Sequence, residues 1–281
     1  MISDTNLPVK GVDTHAHIFR TDLPLAAERR YAPDYNALPE DFLMRLSNHN
    51  ISHGILVQPS FLGTDNRFMV QALRQHPEKF KGIAVVDPSI SDSELDELDA
   101  SGVVGIRLNL INKPLENYTS PLWQTFLGKL AKRKWVVEIQ RELDDLASFL
   151  PAILESGVEV IVDHFGRTLE GIQPSKPAHQ DFLCLLNSGA PVWTKVSAAY
   201  RCNADLAQAQ EMLAILRKAY GHSDYLLWGS DWPNTQFEEQ TDYSSQYRFM
   251  EALLPNKDER SQVLVTNPSK LFRFQPSNKN K

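Results

Sequence analysis

The chain has 281 residues, 42% of them hydrophobic and 23% charged, a balance that builds a large buried core and excludes disordered and fibrous classes. Its formal net charge of −6 offers no basic field to nucleic acid or to an acidic membrane surface. The two cysteines, Cys184 and Cys202, form no Cys-x-x-Cys pair, and no leader-like segment or membrane-length apolar run is seen, so the expectation is a soluble, cytoplasmic protein without nucleic-acid or membrane partners.

Short β-branched runs alternate with stretches of helical periodicity along the whole chain, the pattern of parallel βα units. The first predicted strand, 9–14, leads into Asp13-Thr14-His15-Ala16-His17 and then into a polar, Pro-rich stretch, 21–38. A helix over 39–49, with Pro39 in its first turn, precedes a strand over 51–58. Helix 67–76 then leads to strand 82–87, helix 92–100 with Asp92 as N-cap to strand 104–110, and helix 122–132 to strand 135–140. Helix 143–155 is followed by strand 158–163, which ends in Asp163-His164-Phe165-Gly166-Arg167, and 167–178 reads as a second polar loop. Strand 192–197, helix 204–220 with Asn203 as N-cap, and strand 225–230 complete the series, the last running into Gly229-Ser230-Asp231-Trp232-Pro233. Eight such strands predict one distorted (β/α)8 TIM barrel over 1–281, close to the roughly 250 residues the fold uses, with a frayed tail over 275–281.

In strand after strand the bodies are Val, Ile and Leu while titratable residues collect at the C-terminal ends, which in a barrel converge on one mouth. His15 and His17, two apart on an extended segment, face the same side. With His164 and Asp231 they make a candidate site that serves two chemistries: a ligand set for one divalent ion, zinc or manganese, or a metal-free acid/base cluster. Each has an ordinary reading alone. A His-x-His arises by chance, His164 can cap a loop and Asp231 can cap the next turn; their recurrence at ends of one inferred barrel favours the site.

Further polar groups describe an anion-binding mouth. Ser60 and Thr64 flank the Gly63 turn before a helix N-terminus. Arg107 and Arg201, able to grip a carboxylate in bidentate fashion or to pair with strand-end acids, join Lys113 and Arg167. His49, His53, His76, His179 and His222 read as surface residues, and Trp123 and Tyr243 as exposed aromatics able to mark a homo-oligomer interface.

The segments DTHAHIF, GILVQPSFLGTDN, GIRLNL, VIVDHFGR, WTKVSAAYR, WGSDWPNT and VTNPSKLF resemble the branch of the amidohydrolase superfamily that contains 2-pyrone-4,6-dicarboxylate lactonase and sugar-lactone hydrolases. The resemblance implies hydrolysis of the ester bond of a small anionic lactone. Asp231 is then the general base, His15, His17 and His164 polarise or orient the carbonyl, and Arg107, Arg201, Ser60, Thr64 and Asn234 hold carboxylates. It also implies that no metal is required, unlike most of the superfamily. Four departures stand out. No lysine on the fourth strand faces the mouth and Glu138-Ile139-Gln140 replaces a histidine strand end; Phe61 stands where the lactonase has tyrosine; Lys113 stands for an arginine. Tyr31 or Tyr35 is left to supply a phenol hydrogen bond. Two other readings keep the barrel: a metal-dependent decarboxylase or lactone isomerase, and a barrel that only binds or scaffolds.

Overall fold

The structure, a computed structural model, describes residues 7–274; the tail expected to fray lies outside them. Eight parallel strands pair in chain order: β1 (Val12–Ala16), β2 (His53–Val57), β3 (Phe80–Ala84), β4 (Val103–Asn109), β5 (Val136–Gln140), β6 (Val160–Val162), β7 (Val192–Lys195) and β8 (Leu226–Leu227). Every predicted strand overlaps an observed one.

The circle closes through the chain just beyond β8. Thr14 donates its N–H to the Trp228 carbonyl at 3.1 Å, Asp231 to the His15 carbonyl at 2.8 Å and His17 to the Trp232 carbonyl at 2.8 Å. This approach needs a glycine, since a Cβ on Gly229 would lie 2.5 Å from the His15 nitrogen. Asp13 helps to seal the seam, its Oδ1 accepting from the N–H groups of His15 at 3.1 Å and Ser230 at 2.9 Å.

Helices α1 (Pro39–Asn48), α2 (Arg67–Gln75), α3 (Asp92–Ala100), α4 (Pro121–Lys132), α5 (Leu143–Leu154), α6 (Pro177–Asn187), α7 (Leu206–Tyr220) and α8 (Tyr243–Leu253) ring the sheet. Two of these escaped the sequence pattern, for one reason. The core-facing stripe of α6 is His179, Phe182 and Leu186, and that of α8 is Tyr243, Gln246, Met250 and Leu253. A polar member in each blurs the 3.6-residue apolar period. The caps also shift: Ser91, not Asp92, accepts from Glu94 N–H, and Asp205, not Asn203, accepts from Gln208 N–H.

Trp123 and Tyr243 are buried, not exposed, and so are His53 and His179. Trp123 is covered because its indole N–H reaches Glu116 at 2.8 Å, and His179 because its Nδ1 accepts the Gln173 N–H at 2.9 Å. Among the described residues no helix is long and apolar enough to cross a membrane.

The barrel interior has two layers. Val12, Ile55, Ile83, Val136, Ile161, Trp193 and Leu227 form an apolar layer, plugged from the N-terminal end of the strands by Leu271 and Phe272 of a last helix, α9 (Asn267–Phe272), and by Phe274. Two residues further along the same strand faces, Val136 gives way to Glu138, Ile161 to Asp163 and Trp193 to Lys195. All three polar residues are fully buried.

Candidate active site

The floor of the polar layer is a compensated charge cluster. The Lys195 ammonium lies 2.5 Å from Glu138 Oε2, 3.2 Å from Asp163 Oδ1 and 2.8 Å from His15 Nδ1. Arg107 reaches Gln140 Oε1 at 2.9 Å and Asp163 Oδ2 at 3.5 Å. Burial would raise Asp163, but Lys195 and His15 hold its carboxyl well below the usual range. Two cations thus face two carboxylates.

Above the floor stand the imidazoles. His15 Nε2 and His17 Nε2 are 3.3 Å apart, and Asp231 Oδ1 lies 3.7, 3.8 and 3.9 Å from the Nε2 atoms of His15, His17 and His164. The His17 Nδ1 sits 2.7 Å from the Val57 carbonyl; a carbonyl only accepts, so Nδ1 carries hydrogen. Burial, together with the Arg107 charge, pushes His17 well below its ordinary value, and burial does the same to His164. Both rings are neutral at neutral pH, with the Nε2 of His17 a lone pair. At His15 influences oppose: burial and Lys195 favour the neutral ring, Asp163 and Glu138 the cation, and the balance lies above the ordinary value.

Asp231 uses its two oxygens differently. Oδ2 accepts from the Tyr200 hydroxyl at 2.5 Å and from Arg201 Nε, while Oδ1 faces the imidazoles. Burial would raise its pKa, but Arg201 above all holds it well below the carboxylate range. The backbone is strained at the same place, with left-handed φ at His164 (49°), Arg167 (50°) and Asp231 (58°). Non-glycine residues are kept in that conformation at about 1–2 kcal/mol each, a cost that concentrates at working sites.

The structure brings together His15, His17, His164, Asp231, Arg107 and Arg201. Asn234 joins them, donating to the Tyr200 hydroxyl at 3.1 Å. Arg167 is half-buried on the rim and makes no ion pair among the described residues. Burial and the nearby Arg201 push its guanidinium below the ordinary value, and burial acts likewise on Arg30 with Arg107 and Arg201 near it. Tyr31 is fixed by the Thr235 hydroxyl at 3.1 Å and by the Phe61 ring at 5.3 Å, and Tyr35 donates to Glu238 at 2.6 Å, so the loop after β1 lies over the loop after β8. Ser60 opens the turn after β2 and is partly exposed; Thr64 and Lys113 are exposed, and Thr64 lines an outer groove of about 890 Å³ between α2 and α3. The neighbouring Gln58 and Asn66 are engaged with backbone, at 2.8 Å to the Asp65 carbonyl and 2.8 Å to the Val85 carbonyl.

Sequence reasoning passed over Lys195, Glu138, Asp163 and Tyr200. Lys195 lies two residues after Trp193 on an otherwise apolar strand, and a lysine in such a run is the signal that could have found it.

His15, His17 and Asp231 form one grouping that suits a divalent ion, their atoms standing 3.3, 3.7 and 3.8 Å apart where tetrahedral bonds of about 2.1 Å set ligands about 3.4 Å apart, and His164 lies outside that grouping. A second grouping, His15, Asp163 and His164, also lies within ion-binding reach. It does not fit a second ion, because the Lys195 ammonium already stands 3.2 Å from Asp163 and 2.8 Å from His15.

Comparison with known proteins agrees with this geometry. A 2-pyrone-4,6-dicarboxylate hydrolase of Comamonas testosteroni is 29% identical over 280 residues, covering 95% of this chain and 91% of its own. The crystal structure of a probable 2-pyrone-4,6-dicarboxylic acid hydrolase from Acinetobacter baumannii with citric acid bound superposes with a TM-score of 0.89 at 40% identity, over 94% of this chain and 99% of that one. A Pseudomonas putida structure described as a 2-pyrone-4,6-dicarboxylic acid hydrolase gives 0.88 at 36% identity, over 96% and 99%. The amidohydrolase family model matches residues 12–274, and the chain belongs to that family.

Proposed function

We propose that the chain hydrolyses a small lactone bearing carboxylates, of the 2-pyrone-4,6-dicarboxylate kind. One observation carries the reading: Asp231 is pinned through Oδ2 by Tyr200 and Arg201 and turns Oδ1 toward three imidazole nitrogens within 3.9 Å, below a rim of arginines. The relatives' substrate class agrees with that rim.

Water is held by Asp231 Oδ1. Asp231 takes a proton from it as the oxygen attacks the lactone carbonyl, His15 donates to the developing oxyanion, and His164 orients the same group. His17 cannot polarise the carbonyl, since its hydrogen is committed to Val57. Ring opening breaks the C–O bond, the proton passes from Asp231 to the leaving oxygen, and a new carboxylate forms. Arg201 weakens the base while unliganded. A substrate carboxylate sharing that guanidinium relieves the effect, so the base strengthens as substrate arrives.

A divalent ion would be held by His15, His17 and Asp231 and would polarise a carbonyl; the reading requires none. The test is proton release by purified protein on 2-pyrone-4,6-dicarboxylate and a panel of aldonolactones, with and without chelator and with metal content measured. Turnover that survives chelation supports both parts. Inertness toward every lactone sinks the reading, and loss on chelation sinks the metal-free part.

A further inference from the structure

The structure assigns Lys195 a function of its own: we propose that it is the positioning residue that fixes His15 with its lone pair on Nδ1 and its hydrogen on Nε2, aimed at the reacting carbonyl. The inference rests on the lactone-hydrolase reading for its catalytic consequence, but not for its geometry.

Two independent chains of contacts lead to the same proton position. From the rim, the Val57 carbonyl at 2.7 Å requires hydrogen on His17 Nδ1. The neutral His17 then offers a lone pair at Nε2, and the 3.3 Å contact with His15 Nε2 is a hydrogen bond only if His15 is the donor. From the floor, an ammonium has three hydrogens and no lone pair, and Lys195 has three acceptors: Glu138 Oε2 at 2.5 Å, His15 Nδ1 at 2.8 Å and Asp163 Oδ1 at 3.2 Å. A hydrogen on His15 Nδ1 would set N–H against N–H across 2.8 Å.

The competing form, a cationic His15 donating to the carboxylates, is the weaker match. The carboxylate oxygens stand 3.3 and 3.4 Å from Nδ1, whereas Glu138 is 2.5 Å from Lys195. Asp163 and Glu138 draw His15 toward the cation, but the 2.8 Å approach of the Lys195 ammonium leaves no place for a hydrogen on Nδ1. Lys195 thus does for His15 what a carboxylate does for a histidine whose Nδ1 must donate, with the direction reversed.

The first experiment needs no altered ring chemistry: 15N-histidine labelling of the full chain and long-range 1H–15N correlation at neutral pH, with assignments from His15→Asn and His17→Asn. His15 is expected with hydrogen on Nε2 only and His17 with hydrogen on Nδ1 only. Hydrogen on His15 Nδ1, alone or in a doubly protonated ring, overturns the proposal. The second is Lys195→Met, beside Lys195→Met with Glu138→Gln, which removes one carboxylate left unpaired. Folded variants should lose about ten- to a hundredfold in kcat, the range of lost orienting partners. Their KM should stay within about twofold, because no ground-state contact is removed, and His15 should gain Nδ1 hydrogen. A folded variant with unchanged kcat and unchanged ring spectrum overturns the proposal. Should neither variant fold, the spectrum of the unaltered protein decides, and it decides equally if no lactone is turned over.

Discussion

The two ends of the barrel are built from the same strands and obey opposite rules. At the closed end Val136, Ile161 and Trp193 pack on Phe272 and Phe274, and the contribution is apolar burial, about 25 cal/mol for each Å² removed from water. Two residues onward the same faces carry Glu138, Asp163 and Lys195, then histidines and Asp231 in strained backbone. Stability is concentrated at one end, and the other end holds groups that folding alone would not choose. Substitutions should therefore separate the two quantities.

The largest effect expected is at the open end. Asp231→Asn keeps the shape and tolerates the left-handed φ of 58° at this position, but removes the base. A loss of about 10⁴ in kcat is expected, the upper range for one general base, with the urea midpoint close to that of the parent. Full activity in the Asn variant, measured by proton release, would falsify the role given to Asp231. At the closed end Phe272→Ala removes a fully buried ring and should cost about 4 kcal/mol by denaturant titration. The folded fraction should keep its kcat, and a loss of activity per folded molecule would show that the two ends are coupled.

How much of this division was legible in the sequence differs between the ends. The strands announce themselves because β-branched runs have a period, and His15, His17, His164 and Asp231 because they interrupt it at a strand end. Lys195 and Glu138 interrupt it as well, but two residues before the predicted strand ends, too early to read as mouth residues. Their partners are 57 positions apart, and compensation of charge is a property of three dimensions. Arg107 shows the same limit: the sequence could not tell a substrate clamp from a floor ion pair, and the structure shows it already bonded to Gln140 and close to Asp163. His179 and Gln246 concealed two helices because a polar residue buried on a helix face looks, in one dimension, like the edge of a loop.

A smaller effect distinguishes the ends by acid. His17 and His164 at the open end are held well below their ordinary value by burial, and His53, at the closed end against Phe274, is pushed down to about 4 by burial. For groups depressed in the fold the unfolded chain binds protons first. Stability is therefore full above about pH 6.5 and falls as the pH drops, by about 1 kcal/mol per ring between pH ~6.5 and ~5.5. Asp163 and Asp231 contribute nothing in this window, because their stabilisation is lost only in stronger acid. Melting temperature against pH should show the slope, and His53→Gln should remove one ring's share of it while leaving the open-end part. An unchanged slope in that variant would mean His53 is protonated in the fold.

The smallest effect tests the rim, and its sign matters more than its size. Arg167 makes no ion pair among the described residues, and burial, with the nearby Arg201, pushes its pKa down. In the free protein such a cation is a repulsion that a dianionic ligand relieves. Arg167→Met should accordingly raise KM for a dicarboxylate about tenfold, one point contact of about 1.4 kcal/mol. It should raise KM for an uncharged lactone hardly at all, and leave the urea midpoint equal or slightly higher. If the variant is instead destabilised and binds both substrates equally, Arg167 belongs with the compensated floor, and the boundary between the two ends runs higher in the mouth than Asp231.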